Sequence, residues 1–312
     1  MLAFLLGLIA GAASPTQASV NARIREDFKS PYITTIVNFI VAALLLAAVI
    51  LVVERNLYIP LGTIAREPFW IWLGGACGTA IVILNIICLP KLGSALNVML
   101  ICFGQIMTGL IVDHFGLFYS PAAPMSLMRL LGALIVFAGI WLVNSRGNSG
   151  SRGSAQKSVL LYVILAIFCG FACAAQVAIN GALRGFAGSA LKATLISMSV
   201  GLITAIIVTA IVIVMKGKAG IYDDGQVDTP VRFRFWMIGG GGLAIVIVAG
   251  NAVAAPMLGT GVVTILNLVG MMAAGLVIDA AGFLGIEKKP VTLAKVAGMI
   301  LMTGGAAIIS LL

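Results

Sequence analysis

Residues 85–93 read Asn85-Ile86-Ile87-Cys88-Leu89-Pro90-Lys91-Leu92-Gly93, and residues 251–259 read Asn251-Ala252-Val253-Ala254-Ala255-Pro256-Met257-Leu258-Gly259. Asn, Pro and Gly stand at the same three places, 166 residues apart, in otherwise plain apolar sequence. The same shift carries Trp70 onto Trp236, Gly74 and Gly75 onto Gly240 and Gly241, and Gly104 onto Gly270. It also carries Asp113 and Gly116 onto Asp279 and Gly282, and Gly132 and Gly139 onto Gly298 and Gly305. Before Trp70 the shift is 159, because the second copy has a longer polar loop: Gln17 meets Gln176, Asn21 meets Asn180, Arg25 meets Arg184 and Thr35 meets Thr194. Shared hydrophobicity would align only Leu, Ile and Val. A register kept by Gly, Pro, Asn and Asp marks a duplication.

The chain is 61% hydrophobic and 9% charged, with a mean hydropathy of +1.16, which excludes a soluble globular domain. Charge-free stretches near the roughly 20 residues needed to cross hydrocarbon mark the spans. They fall before Arg23 and near 32–53, 70–89, 93–112, 126–144, 158–179, 191–214, 236–255, 259–278 and 293–311. The run from Phe235 to Ile278 has no charge and is too long for one helix, so Pro256 and Gly259 must break it, as Pro90 and Gly93 do in the first copy. The expected fold is an all-α polytopic membrane protein of ten helices. Residues 1–144 form one five-helix repeat, 145–157 a Gly/Ser-rich linker, and 158–312 the second repeat. An odd number of spans turns the second copy upside down, and inverted repeats are a mark of secondary transporters.

The net charge of +9 forms no dense patch and excludes a nucleic-acid partner as its explanation. The loops after odd-numbered spans carry 14 of the 19 basic residues and the others 5, which places the odd loops in the cytoplasm and both termini outside. A cleaved signal peptide at 1–18 is not expected, since no positive region precedes its apolar core and the segment recurs at 160–180. The mixed-charge loop 216–234 is expected to be solvated. The five cysteines lie in spans, with no metal-ligand spacing to the single His114, so neither a metal nor a disulfide framework is implied. No GxxxxGK[ST] loop, HExxH or Ser/Lys arrangement occurs, so ATP, cofactor and enzyme readings find no support. Close helix contacts are expected at Gly7/Gly11, Gly74/Gly78 and Gly181/Gly185, whose four-residue spacing opens one helix face.

Polar groups within spans need a partner or a cavity. Gln17 and Asn21 share one face of the first helix, and Gln176 and Asn180 repeat it in the sixth. These four either line opposite mouths of one cavity or bond neighbouring backbone. Asn97 and Gln105 share a face of the fourth helix, opposite Val263 and Met271, whereas Asn267 stands opposite Ile101. These three join the path candidates, and the polar lining is expected to be asymmetric. Asn85 and Asn251, beside the Pro-Gly breaks, are expected to cap helix ends. Asp113 and Asp279, each followed 16 residues later by a base (Arg129 and Lys295), either tie adjacent helix ends or act, with His114, as coupling or gating groups.

Gly104-Gln105 with Asp113-His114-Phe115-Gly116, the Trp70 to Gly75 segment, and Gln17 with Asn21 resemble the YdcZ-like branch of the drug/metabolite transporter superfamily. The resemblance covers both halves, and in the second Met271 replaces the Gln and Ala280 the His. It implies a bacterial inner-membrane exporter in fused ten-span form. Small multidrug pumps of the same superfamily use a Glu in their first helix; this chain has none there, which argues against that kind of drug-cation exchange. The expected activity is alternating-access transport of a small neutral, zwitterionic or amphipathic solute. A channel, a lipid flippase and an accessory membrane subunit are the alternatives. The expected partners are membrane lipid, the solute and a second copy in a homodimer.

Overall fold

The computed structural model describes residues 2–120, 122–147, 154–223, 234–258, 260–283 and 288–311. It is all-helical among these residues, with ten helices of 19 to 34 residues. They are α1 (Leu2–Phe28), α2 (Pro31–Val53), α3 (Leu73–Leu92), α4 (Ser94–Phe115) and α5 (Leu127–Gly147), then α6 (Ser154–Ala187), α7 (Ala190–Lys216), α8 (Ile238–Leu258), α9 (Thr260–Ala281) and α10 (Leu293–Leu311). Seven are long and apolar enough to cross a membrane: α1 to α4, α6, α7 and α9. The other three carry shorter apolar stretches among the described residues. Leu44, Val52, Val214 and Leu293 are exposed on helices that have no aqueous reason to expose them, as lipid-facing side chains would be.

Local chemistry sets the boundaries, and it does so twice. Ser30 Oγ accepts the Ile33 N–H at the start of α2, with Pro31 at the first helical position, and Ser189 Oγ accepts the Lys192 N–H at the start of α7. Gly116 ends α4 at φ 58°, and its mate Gly282 stands after α9 at φ 67°. The break between α3 and α4 lies at Gly93 rather than at Pro90, which sits inside the last turn of α3. At φ 79° and ψ 166°, Gly93 occupies backbone space closed to a residue with a Cβ. α1 and α6 outrun the spans expected from charge alone, ending at Phe28 and Ala187. Helices reach Gly147 and resume at Ser154, so the core of the expected linker lies outside the described residues. Most of the polar loop 216–234, with Asp224 and Asp228, does too; its described Asp223 pairs with Arg25 in two contacts of 2.8 Å.

Packing crosses between the halves. α1 lies against α8 and α9, and α6 lies against α3 and α4. A Cβ at Gly104 would fall 2.1 Å from the Ile167 carbonyl oxygen, and one at Gly270 would fall 2.3 Å from that of Leu8. Gly170 and Gly11 meet the Ile101 and Asn267 backbones just as closely. These are four positions of one crossing made twice, and in lipid such backbone approach is what holds helices together. α5 and α10 pack on each other through Gly132 against the Gly305 carbonyl and Gly139 against that of Gly298. Gly181 and Gly185 make no such contact: nothing lies within 4 Å of a Cβ at either. The spacing that suggested a helix face there instead leaves a bare surface, which at Gly181 borders a cavity.

Gly104→Val and Gly270→Val should each destabilise the protein by about 1–3 kcal/mol, the usual cost of overpacking a filled contact. Gly185→Ala should leave the melting temperature unchanged or slightly higher. Thermal unfolding of the purified variants in detergent checks the contrast.

Candidate functional site

A cavity of about 900 Å³ lies between the two halves, lined by residues of α1, α3, α4, α5, α6, α8, α9 and α10. On α4 its lining runs from Ser94 to Asp113 at helical spacing, a rise of about 28 Å at 1.5 Å per residue. One end is deeply buried: Ser94 is 0% and Asn97 1% exposed. The other reaches Tyr119, which is 61% exposed, and Asp113, whose side chain is 42% exposed.

Two asparagine pairs stand in the wall. Asn97 Nδ2 donates to Asn85 Oδ1 at 2.9 Å, and Asn267 Nδ2 donates to Asn251 Oδ1 at 2.8 Å. Asn85 and Asn251 are therefore not caps; each lies a turn or more inside its helix and holds an amide on the next. The expected asymmetry fades for the asparagines alone, since Gln105 still stands in the wall opposite Met271. Asn97 and Asn267 are displaced by one helical turn in the repeat register, yet each reaches the matched asparagine. A shift of four residues keeps a side chain on the same helix face. Gln105 lines the same cavity, with Oε1 buried and unpartnered.

The first- and sixth-helix amides go elsewhere. Gln17 Nε2 donates to the Gly240 carbonyl at 2.8 Å, and Gln176 Nε2 to that of Gly74 at 3.1 Å. A Cβ on Gly240 would sit 2.5 Å from Asn21 Oδ1, and one on Gly74 would sit 2.5 Å from Asn180 Oδ1. These four amides lie on glycine backbone at the α1–α8 and α6–α3 contacts, and none of them lines the cavity. Of the two arrangements open to them, the helix-bonding one is what the geometry presents. Asn38 and its mate Ser197 complete the two clusters with buried, unpartnered oxygens. Their shared shift of 159 was present in the sequence, but an Asn–Ser match carries no signal by identity.

The two acids are paired as their spacing implied, in unequal settings. Arg129 Nη1 lies 3.5 Å from Asp113 Oδ2, half exposed at the cavity mouth. Lys295 Nζ lies 3.1 Å from Asp279 Oδ2, and the Asp279 residue is fully buried. Asp279 Oδ1 also accepts the Ser94 N–H at 2.6 Å, so it caps the N-terminus of α4 from the far half. That cap is the site feature hidden from the sequence, because Ser94 and Asp279 are 185 residues apart. His114 is exposed, with Nδ1 accepting the Met125 N–H at 3.0 Å, and does not line the cavity.

The family model described as "Putative inner membrane exporter, YdcZ" matches residues 2–142 and again 161–308. The chain belongs to the YdcZ family. It is thus a multi-spanning protein of an inner-membrane exporter family, matched once by each half. No curated protein sequence matches it. A solved structure titled "Crystal structure of protein" aligns over 99% of this chain and 96% of its own, at 18% identity and a TM-score of 0.55. At that identity the likeness shows the fold alone. The residues around the cavity in this YdcZ-family chain supply amides, hydroxyls and one ion pair. Among the described residues, no group of three His, Cys, Asp or Glu side chains is placed to hold a metal.

Asp279→Asn should cost about 3–5 kcal/mol, because it leaves the half-sheltered Lys295 without its counter-charge. Asp113→Asn should cost about 0–1 kcal/mol, as for an ion pair open to water. Comparing the two melting temperatures in detergent checks the order.

Proposed function

We propose that this chain is a secondary transporter of the bacterial inner membrane, most simply an exporter. It is built as two inverted five-helix repeats, 1–144 and 158–312, joined by 145–157, with both termini outside. The observation that carries the reading is the contrast between the two acids. Asp113 and Asp279 hold matched places in a duplicated sequence, yet one borders an open cavity mouth and the other is buried beneath its floor. Two copies of one design in two settings are what a carrier open to one side requires.

In this reading the Asp279 bond to the Ser94 N–H closes the cytoplasmic end. As the cycle inverts, that bond breaks. Asp113 then takes the matched N-terminus of α9 at Thr260, whose place in the repeat is that of Ser94. The basic residues of the odd-numbered loops put the Asp113 end outside and the Asp279 end in the cytoplasm. A pore would need no such exchange.

Cysteine accessibility tests this in a cysteine-free background. Ser120→Cys should react with impermeant reagent from outside and Lys288→Cys from inside. Gln105→Cys, on the partly buried stretch of the cavity wall, should react from outside only, and adding Asp279→Asn should open it to reagent from inside. Reaction of Ser120→Cys and Lys288→Cys from one face overturns the inversion. Equal reaction of Gln105→Cys from both faces without the Asp279 change indicates a pore.

Of the two acids, Asp113 has access to water and neighbours the cavity, so we assign proton coupling to it rather than to Asp279. Asp113→Asn should abolish pH-driven uptake into inverted vesicles while solute counterflow in proteoliposomes persists. Unchanged pH dependence removes coupling and leaves Asp113 as a tie between helix ends.

A further inference from the structure

The cavity wall itself points to the class of solute. Its charged lining side chains are Asp113 and Arg129, already paired with each other at the mouth. Beyond them the polar lining is amide and hydroxyl: Asn85, Asn97, Gln105, Asn251 and Asn267, with Ser94 among the hydroxyls. An ion held there would be drawn from water with no opposite charge to meet it, which is costly in a low-dielectric interior.

The hydrogen-bond inventory goes further. Within each asparagine pair one N–H is given to the partner's carbonyl oxygen, which leaves the Oδ1 atoms of Asn97 and Asn267 without a partner in the protein. Gln105 Oε1 is unpartnered as well. Asn97 is 1% exposed, and its unpartnered oxygen, like those of Asn267 and Gln105, is sealed from water in this conformation. These three buried acceptors, contributed by both halves on α4 and α9, belong to residues that line one space. A small turn of any of these amides presents its acceptor to that space, and a solute that fills it must then bring donors of its own, or the oxygen is left bare.

We infer that the cavity binds a small uncharged solute carrying several hydrogen-bond donors, hydroxyl or amide, held by Gln105 and the Asn85–Asn97 and Asn251–Asn267 pairs. Calling this solute the transported cargo rests on the transporter reading; the binding site does not.

Thermal stabilisation of the purified full chain in detergent tests the class with probes built on one six-carbon skeleton. D-Glucose is uncharged with five donors, glucosamine is its cation, gluconate its anion, and penta-O-methyl glucose keeps the oxygens without the donors. Ribitol and nicotinamide widen the uncharged set. Saturable stabilisation by one or more uncharged donors is expected, with none from the methylated sugar or the two ions. Gln105→Leu removes a group that bonds nothing within the protein, so the fold should persist while apparent affinity for the stabilising probe falls about tenfold, the effect of losing one buried bond. Asn267→Leu should weaken the same probe, and retained helicity separates that loss from misfolding.

Preference for glucosamine overturns the inference in favour of a cation site, and preference for gluconate in favour of an anion site. Equal effects of glucose and its methylated form reveal general sugar stabilisation, and also overturn it. So does the absence of any Gln105-dependent shift across the uncharged set. The outcomes separate from those of the transport reading. Gln105-dependent binding with fixed cysteine accessibility sinks transport and keeps the site, whereas switching accessibility driven only by a charged probe does the reverse.

Discussion

The structure depends on backbone-to-backbone contact where α1 crosses α9 and α6 crosses α4. Lipid tails are as apolar as leucine, so burying Leu against Leu gains little in a bilayer, and association has to come from close packing and interhelical hydrogen bonds. Gly11 with Gly270, and Gly104 with Gly170, bring main chains to distances that no side chain would permit. Each of these crossings joins one half to the other. The two copies therefore do not sit side by side as finished units; each supplies a helix that completes its partner's wall. The cavity between them follows from that exchange, because α1, α4, α6 and α9, the helices pinned at these crossings, all contribute to its lining.

A second pair of contacts sets how α1 and α6 face their neighbours. Gln17 and Gln176 each place an amide N–H on a glycine carbonyl, and Asn21 and Asn180 each occupy the space that a Cβ on that glycine would fill. Glutamine, asparagine and glycine are thus three parts of one joint. This gives a physical reason for their appearing together in both copies, whatever else the amides do. The amides left in the cavity wall are the Asn85–Asn97 and Asn251–Asn267 pairs and Gln105.

Much of this was legible before any coordinates. The shifts of 159 and 166 carried the duplication, and Pro90 with Gly93 located the break between helices three and four. Asp113 with Arg129 and Asp279 with Lys295 found each other at the expected 16-residue reach. Which way a polar residue faces was not legible. A membrane helix is apolar on nearly all sides, so the periodicity that orients a helix in a soluble protein is almost erased. Gln17 and Asn97 look alike as isolated amides in apolar sequence, yet one lies against a backbone and the other borders a cavity. Residue-by-residue register also misled: it set Asn97 opposite Val263, whereas the asparagine doing the same work is Asn267, one turn later. Function on a helix is conserved by face, and a four-residue slide preserves the face.

The ion pairs show how matched positions of the two halves rest in different settings. The first uses Arg129 and the second Lys295. Arginine is a planar fork that holds its charge in water or at an edge, whereas lysine is a compact point charge on a flexible stem, easily turned into a sheltered site. A lysine that follows Asp279 under α4 can leave the carboxylate one oxygen free for the Ser94 N–H, and here it does, at 3.1 and 2.6 Å. The guanidinium of Arg129 stays at the mouth, where it also donates to the Ala123 carbonyl at 3.0 Å. In the transport cycle proposed above, the difference need be only a few kcal/mol to favour one closed end, since two conformers that close in energy are what such a cycle needs. A perfectly symmetric chain would have no preferred side. In that proposal the exchange of Arg for Lys at matched positions is what supplies one, without disturbing the joints that hold the halves together.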